Sequence, residues 1–212
     1  MSYLSDVAAL ARKDLLLELR AKEILPAMLL FVLSALTIFH FALPEGTDEV
    51  ATLGLLWIAI VFTALLGLTR AFVPEREQRT MDALVLAPAD RSTIWLAKSI
   101  AVFAFLSLAE LVALPAFSLF FSGVDARTVA AVALANVGIC TVGTLTGAMA
   151  VVGRARELIL PLLFLPLVIP VVVGGVGASA GAGNEYFALL ALYDAIFALL
   201  AWASFEYVVA ET

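Results

Sequence analysis

The sequence predicts an all-α integral membrane protein, with six transmembrane helices preceded by an N-terminal amphipathic helix that lies in the membrane interface. Three observations predict it. Of the 212 residues, 64% are hydrophobic and the mean hydropathy is +1.09, whereas soluble domains are ~45–50% apolar. Six apolar stretches, each close to the ~20 residues that cross a bilayer, follow one another with short connections. Lysines and arginines fall almost wholly into alternate connections. A single membrane domain, residues 1–212, is expected, because no polar stretch is long enough to close a core of its own.

Residues 3–23 read as the interfacial helix. Leu4, Ala8, Ala11, Leu15 and Leu19 recur at helical spacing, while Asp6, Lys13 and Arg20 fall opposite. Glu18 and Lys22 are spaced as an i,i+4 ion pair. A plain solvated leader is the simpler alternative for this segment. Its charges, from Asp6 to Glu23, leave no apolar run of the kind that a cleavable leader needs, so the first span is expected to act as an uncleaved anchor.

The spans then occupy residues 24–209. The first is about Ile24 to Leu43, with Pro26 in its first turn, where a missing N–H costs little. An acidic loop with Glu45, Asp48 and Glu49 leads to the second, about Val50 to Thr69. The third, about Ile94 to Phe121, is longer than a bilayer needs, so its first turns are expected to protrude into water. The fourth, about Thr128 to Val152, places Gly143 and Gly147 in a GxxxG pattern that admits close helix packing. The fifth, about Leu158 to Val173, holds Pro161, Pro166 and Pro170 and is expected to kink. Gly174, Gly175 and Gly177 follow, and ASAGAGNE reads as a flexible loop. The sixth is about Tyr186 to Val209.

Six spans put Arg12, Lys13, Arg20 and Lys22 on one side with Arg70, Arg76, Arg79, Arg91, Lys98, Arg154 and Arg156. Only Arg127 falls on the other side, beside Glu45, Asp48, Glu49, Asp125 and Glu185. The positive-inside rule then places both termini in the cytoplasm and the protein in a cytoplasmic (inner) membrane.

Between spans two and three runs PEREQRTMDALVLAPADRSTIWLAK, Pro74 to Lys98. Glu75, Arg76, Glu77, Arg79, Asp82, Asp90, Arg91 and Lys98 are charged, and charges this dense cannot sit in hydrocarbon. Thr80 or Asp82 caps a short helix on which Met81, Leu84 and Val85 share a face, and Pro88 stops it. Asp90 caps the helix that becomes span three. Residues 74–93 thus read as a cytoplasmic coupling loop whose short apolar face docks into a cleft on a partner. A solvated loop is the plainer alternative, but it leaves Met81, Leu84, Val85 and Leu86 exposed without reason.

The chemistry absent from the sequence narrows the function. There is no Walker A pattern, no HExxH and no metal-ligand cluster, so neither an ATPase nor a metal-dependent intramembrane hydrolase is expected. No basic patch points to nucleic acid. Cys140 lies in an apolar run and reads as a small core residue. Glu110 sits well inside span three, where a carboxylate is costly unless protonated or paired, and His40 lies at the outer end of span one. The two are candidates for an intramembrane polar path. The plainer alternatives are a neutral acid hydrogen-bonded to a neighbouring helix and an imidazole facing water. An imidazole is also a common haem-iron ligand, which keeps His40 a candidate of that kind. Asp194 and Glu206, in span six, are expected to reach water.

Taken with these motifs, the polar run resembles the cytoplasmic loop of ABC exporter-type membrane domains, in which a short coupling helix inserts into a separate ATPase. More narrowly, the chain resembles the cytochrome c maturation protein B family, also called haem exporter protein B. KDLLLELRAKEILPAMLLFVL, GLLWIAIVFTALLGLTRAFVPE, the loop itself and RELILPLLFLPLVIPVVVGG carry the resemblance. It implies a non-enzymatic permease subunit with ATP hydrolysed by a cytosolic ABC ATPase partner. It also implies a haem-handling membrane protein nearby, membrane lipid around the spans, and haem as a substrate of the complex rather than a resident cofactor. Glu75, Glu77, Arg79, Met81, Asp82, Leu84, Val85, Pro88 and Arg91 would make the ATPase coupling surface. Pairing in the membrane, as a homodimer or a heterodimer, stays open. So do an exporter for a drug, lipid or polysaccharide and a scaffold that relays ATPase motion without transport. Trp57, Trp95 and Trp202 are scattered and form no haem platform.

Overall fold

The computed structural model describes the backbone of residues 3–71, 90–121, 123–152 and 156–210. Among the described residues every regular element is a helix: α1 (Tyr3–Ala21), α2 (Ile24–Ala42), α3 (Glu49–Arg70), α4 (Arg91–Phe120), α5 (Ala126–Val152), α6 (Arg156–Ser179) and α7 (Glu185–Ala210). The six from α2 to α7 are long and apolar enough to cross a membrane, so the chain is a multi-pass membrane protein.

Two helices form the centre. α3 packs against α2, α4, α5 and α6, and α5 packs against α3, α4, α6 and α7. The composition of α5 explains its place. Lipid tails are as apolar as leucine, so membrane helices associate by close contact at small residues. Gly143, from the GxxxG pattern, faces the Leu68 side chain of α3, and a Cβ there would collide with it. Gly138, on another face, takes Tyr193 and Asp194 of α7 in the same way. Hydroxyls inside the bundle are satisfied locally: Thr63 and Thr146 donate to the carbonyls of Ala59 and Val142, one turn back.

The proline-rich span runs further than its sequence predicts. α6 is helical through Pro161, Pro166 and Pro170 and on to Ser179. Leu160, Phe164, Val168 and Val171 form its buried stripe, while Pro166 and Pro170 lie on the exposed side. Each proline removes one backbone hydrogen bond. The Tyr193 hydroxyl of α7 donates to the Leu167 carbonyl at 2.7 Å, which ties this stretch to α7. Gly174, Gly175 and Gly177 are helical packing positions, not the start of a loop. Gly175 abuts the Trp57 indole, Gly177 the Tyr186 ring and Gly174 the Leu190 side chain. The helix stops at a glycine in the left-handed region, Gly181 at φ 69°. There Ala182 N–H donates to Gly177 O at 3.0 Å and Gly181 N–H to Ala178 O at 3.3 Å. The turn read as flexible is therefore held by a helix-ending hydrogen-bond pair.

α1 runs along α4. Its protein-facing residues are Val7, Leu10, Ala11 and Asp14, one position round from the stripe expected from the sequence. Of that stripe only Ala11 is buried, and Leu4 and Leu19 are open. α1 thus has two faces, one on the bundle and one of exposed leucines.

Candidate functional site

The polar loop leaves α3 and returns into α4, and the structure shows how both of its roots are held. At the return, Asp90 Oδ1 accepts from Ser92 N–H at 3.0 Å and caps α4, as its sequence position predicts. The first turns of α4 do not protrude into water. Ser92, Thr93, Ile94, Trp95, Ala97 and Lys98 are buried, because α1 and the ends of α5 and α7 cover them. The Tyr3 and Ser92 hydroxyls lie 3.0 Å apart, Val7 and Ala11 pack on Ala97, and Trp95 Nε1 donates to Thr141 O at 3.3 Å.

Lys98 joins these parts. Its Nζ donates to the carbonyl of Ala71, just past the end of α3, at 2.7 Å, and lies 3.1 Å from Asp14 Oδ2 of α1. The Lys98 and Asp14 side chains are only 5% and 10% exposed, so both charges are held out of water, and Asp14 is shared with Lys13, whose Nζ lies 3.0 Å from its Oδ1. Nearby, Arg70 pairs with Glu23 at 2.5 Å, but both are open to solvent and such a pair contributes little. The Glu18–Lys22 pair expected from the spacing does not form. Lys22 turns the chain at φ 55°, which takes it off the helix face, and Glu18 Oε1 accepts from Ile24 N–H at 2.6 Å, at the start of α2.

Of the residues predicted to couple to an ATPase, Arg91 is half-buried at the first position of α4. Glu75, Glu77, Arg79, Met81, Asp82, Leu84, Val85 and Pro88 lie outside the described residues.

The two candidates for a polar path are placed apart. Glu110 is buried in α4, and its Oε2 accepts from Asn136 Nδ2 of α5 at 2.5 Å. Glu110 Oε1 and Asn136 Oδ1 have no hydrogen-bond partner among the described residues. His40 is exposed at the far end of α2, stacked on Phe120 at 5.1 Å and edge-on to Phe41 and Phe121. It lines a cavity of about 310 Å³ with Glu45, Glu49 and Thr52. Glu110 is not in that lining, and lies ten residues, or ~15 Å of helix rise, from Phe120. Asp194 does not reach water: it is buried against Gly138. Glu206 is exposed. Cys140 is a buried free thiol in the core.

Sequence reasoning missed the Lys98–Asp14 pair and the Asn136 partner of Glu110. Asp14 continues the spacing Val7, Leu10, Ala11, which marks it as facing the same neighbour, and Asn136 is the lone amide in its span. Neither signal names its partner, because the partner is on another helix.

The chain matches the model of the family described as CcmB protein over residues 5–209. It is 34% identical over 175 residues to heme exporter protein B of Pseudomonas aeruginosa, covering 80% of this chain and 78% of that protein. It is 29% identical over 182 residues to heme exporter protein B of Bradyrhizobium diazoefficiens, covering 83% and 82%. With heme exporter protein B of Rhodobacter capsulatus the identity is 28% over 207 residues, covering 92% and 95%. The match spans nearly all of α1, the six membrane helices and the polar loop, and the chain belongs to the CcmB protein family.

Proposed function

We propose that this chain is the membrane-spanning subunit of an ABC-type complex for cytochrome c maturation, and that it couples a separate cytosolic ATPase to haem export or to release of a haem-loaded chaperone. Its relatives' name, heme exporter protein B, supports the haem side of the reading. The absence of a P-loop from the sequence supports a separate source of energy. Both termini and the polar loop face the cytoplasm of an inner membrane in this reading, in line with the bias of lysine and arginine.

The observation that carries the coupling is Lys98. A loop that transmits force needs roots that move as one body. Lys98 ties the residue after α3, the second turn of α4 and the interfacial helix together through buried contacts. Displacement of the loop by the ATPase would then shift α3, α4 and α1 together, and α3 passes it to the central helix α5 through Leu68 and Gly143. Met81, Leu84 and Val85 supply the docking face in this reading.

Two measurements test it. Leu84→Asp with Val85→Asp is expected to abolish co-purification of the ATPase while membrane insertion stays intact; unchanged co-purification overturns the docking. Haem movement into sealed vesicles holding the whole complex is expected to require ATP. Chaperone release that needs ATP, with no haem crossing, assigns the release form of the reading over export.

A further inference from the structure

A cavity of about 250 Å³ opens beside the Lys98 node, between α1 and the bundle. Its floor is apolar, with Ile24, Gly67, Val102 and Phe105. Glu18, Glu23 and Arg70 form its more exposed, charged rim, and the buried Lys98–Asp14 pair borders it. A charged rim over an apolar floor calls for an amphipathic occupant. The level agrees: the cavity lies where α1 crosses the ends of the spans, and the exposed Leu4, Leu16 and Leu19 of α1 mark the same boundary between apolar and aqueous phases. The volume falls below the ~300–1,000 Å³ of pockets that enclose drug-sized molecules, so it takes a headgroup and the first part of a chain and excludes a macrocycle.

The rim also sets the charge of the occupant. Asp14 is paired with both Lys98 and Lys13 and Glu23 with Arg70, which leaves Glu18 as the acid of this lining with no ion pair among the described residues. Among the described residues Ile24 N–H engages one Glu18 oxygen, and the other suits an ammonium. Arg70 is 51% exposed and its bond to Glu23 is a weak surface pair, so its planar guanidinium can turn to a phosphate. We propose that this cavity holds the headgroup of a phospholipid bearing both a phosphate and a primary ammonium, with the ammonium at Glu18, the phosphate at Arg70 and the start of an acyl chain along Ile24, Val102 and Phe105. The lipid wedges α1 against α3 and α4 beside the Lys98–Asp14 pair.

The test is lipid retention by the full chain taken from vesicles of equal phosphatidylethanolamine and phosphatidylglycerol, read by native mass spectrometry. Wild type is expected to retain phosphatidylethanolamine about tenfold over phosphatidylglycerol, the scale of one charge-assisted hydrogen bond. Glu18→Gln keeps an acceptor for Ile24 N–H and is expected to erase the preference. Leu17 lines the cavity from a position 37% exposed, so Leu17→Trp is expected to displace the lipid while the chain keeps its helical circular dichroism. Equal retention of the two lipids by wild type overturns the proposal, as does a preference for phosphatidylglycerol. So does a preference that survives both substitutions. Displacement by soluble phosphoethanolamine at the same concentration as lipid overturns the assignment to a membrane lipid. If Glu18→Gln fails to fold, Leu17→Trp decides.

Discussion

Lys98 Nζ stands 3.1 Å from Asp14 Oδ2 while donating to the Ala71 carbonyl at 2.7 Å, so one buried ammonium holds two helices and the end of a third. Breaking a buried pair by removing one partner strands a charge and costs about 3–5 kcal/mol, whereas replacing both by apolar groups costs much less. Asp14 keeps Lys13, whose Nζ lies 3.0 Å from its Oδ1, so Lys98→Met is expected to destabilise the protein by less than that range, about 1–3 kcal/mol, and Asp14→Leu with Lys98→Met to recover part of the loss. Thermal unfolding in detergent reads both; a double variant as unstable as the single one refutes the pairing.

The close approach of α6 to α3 rests on Gly175, whose missing Cβ leaves room for the Trp57 ring. The indole is rigid and fixed by its bond to Ser179 at 3.2 Å, so it cannot retreat. Gly175→Ala is expected to cost about 1–3 kcal/mol, the usual range for overpacking. Gly54 has nothing within 4 Å of a built Cβ, so Gly54→Ala is expected to be neutral or stabilising. Melting temperatures of the two variants that move together would contradict this placement.

Glu110 and Asn136 satisfy part of each other's hydrogen bonding inside the bundle. Glu110→Leu leaves the Asn136 amide unpaired and is expected to cost about 1–3 kcal/mol. Glu110→Gln keeps an acceptor and is expected to cost less. Adding Asn136→Leu to Glu110→Leu is expected to restore stability, since an apolar pair leaves no orphaned group. A double variant less stable than either single change would show that the two residues do not act as a pair.

Asp125 caps α5 by accepting from Thr128 N–H at 2.7 Å, and that backbone hydrogen bond holds its carboxyl below the usual carboxylate range. A depressed folded pKa stabilises the fold above the unfolded value and loses that contribution as pH falls through the folded value. Wild type is thus expected to lose some stability in acid that Asp125→Asn, which caps without titrating, does not lose. Unfolding followed from pH 6 to pH 2 checks it, and identical pH profiles refute it.

The membrane class, the six spans and their order were legible because they depend on local composition: about twenty apolar residues must become a helix in a bilayer, whatever surrounds them. The Asp90 cap was legible because a cap acts within one turn. The end of α6 was not. Three prolines followed by three glycines read as a break, yet Pro166 and Pro170 lie towards the outside and the glycines receive Trp57, Tyr186 and Leu190 side chains.

The site divides in the same way. A dense run of charge must leave hydrocarbon, so the sequence by itself determined that Pro74–Lys98 joins spans two and three outside it. Only the tertiary structure decided that Lys98 turns inward to Asp14, that Glu110 meets Asn136, and that His40 stands among phenylalanines far from both. Those pairings depend on which faces of separate helices meet, and packing sets them at residues far apart in the chain. Hydropathy records how much of a helix is apolar, not which neighbour it finds.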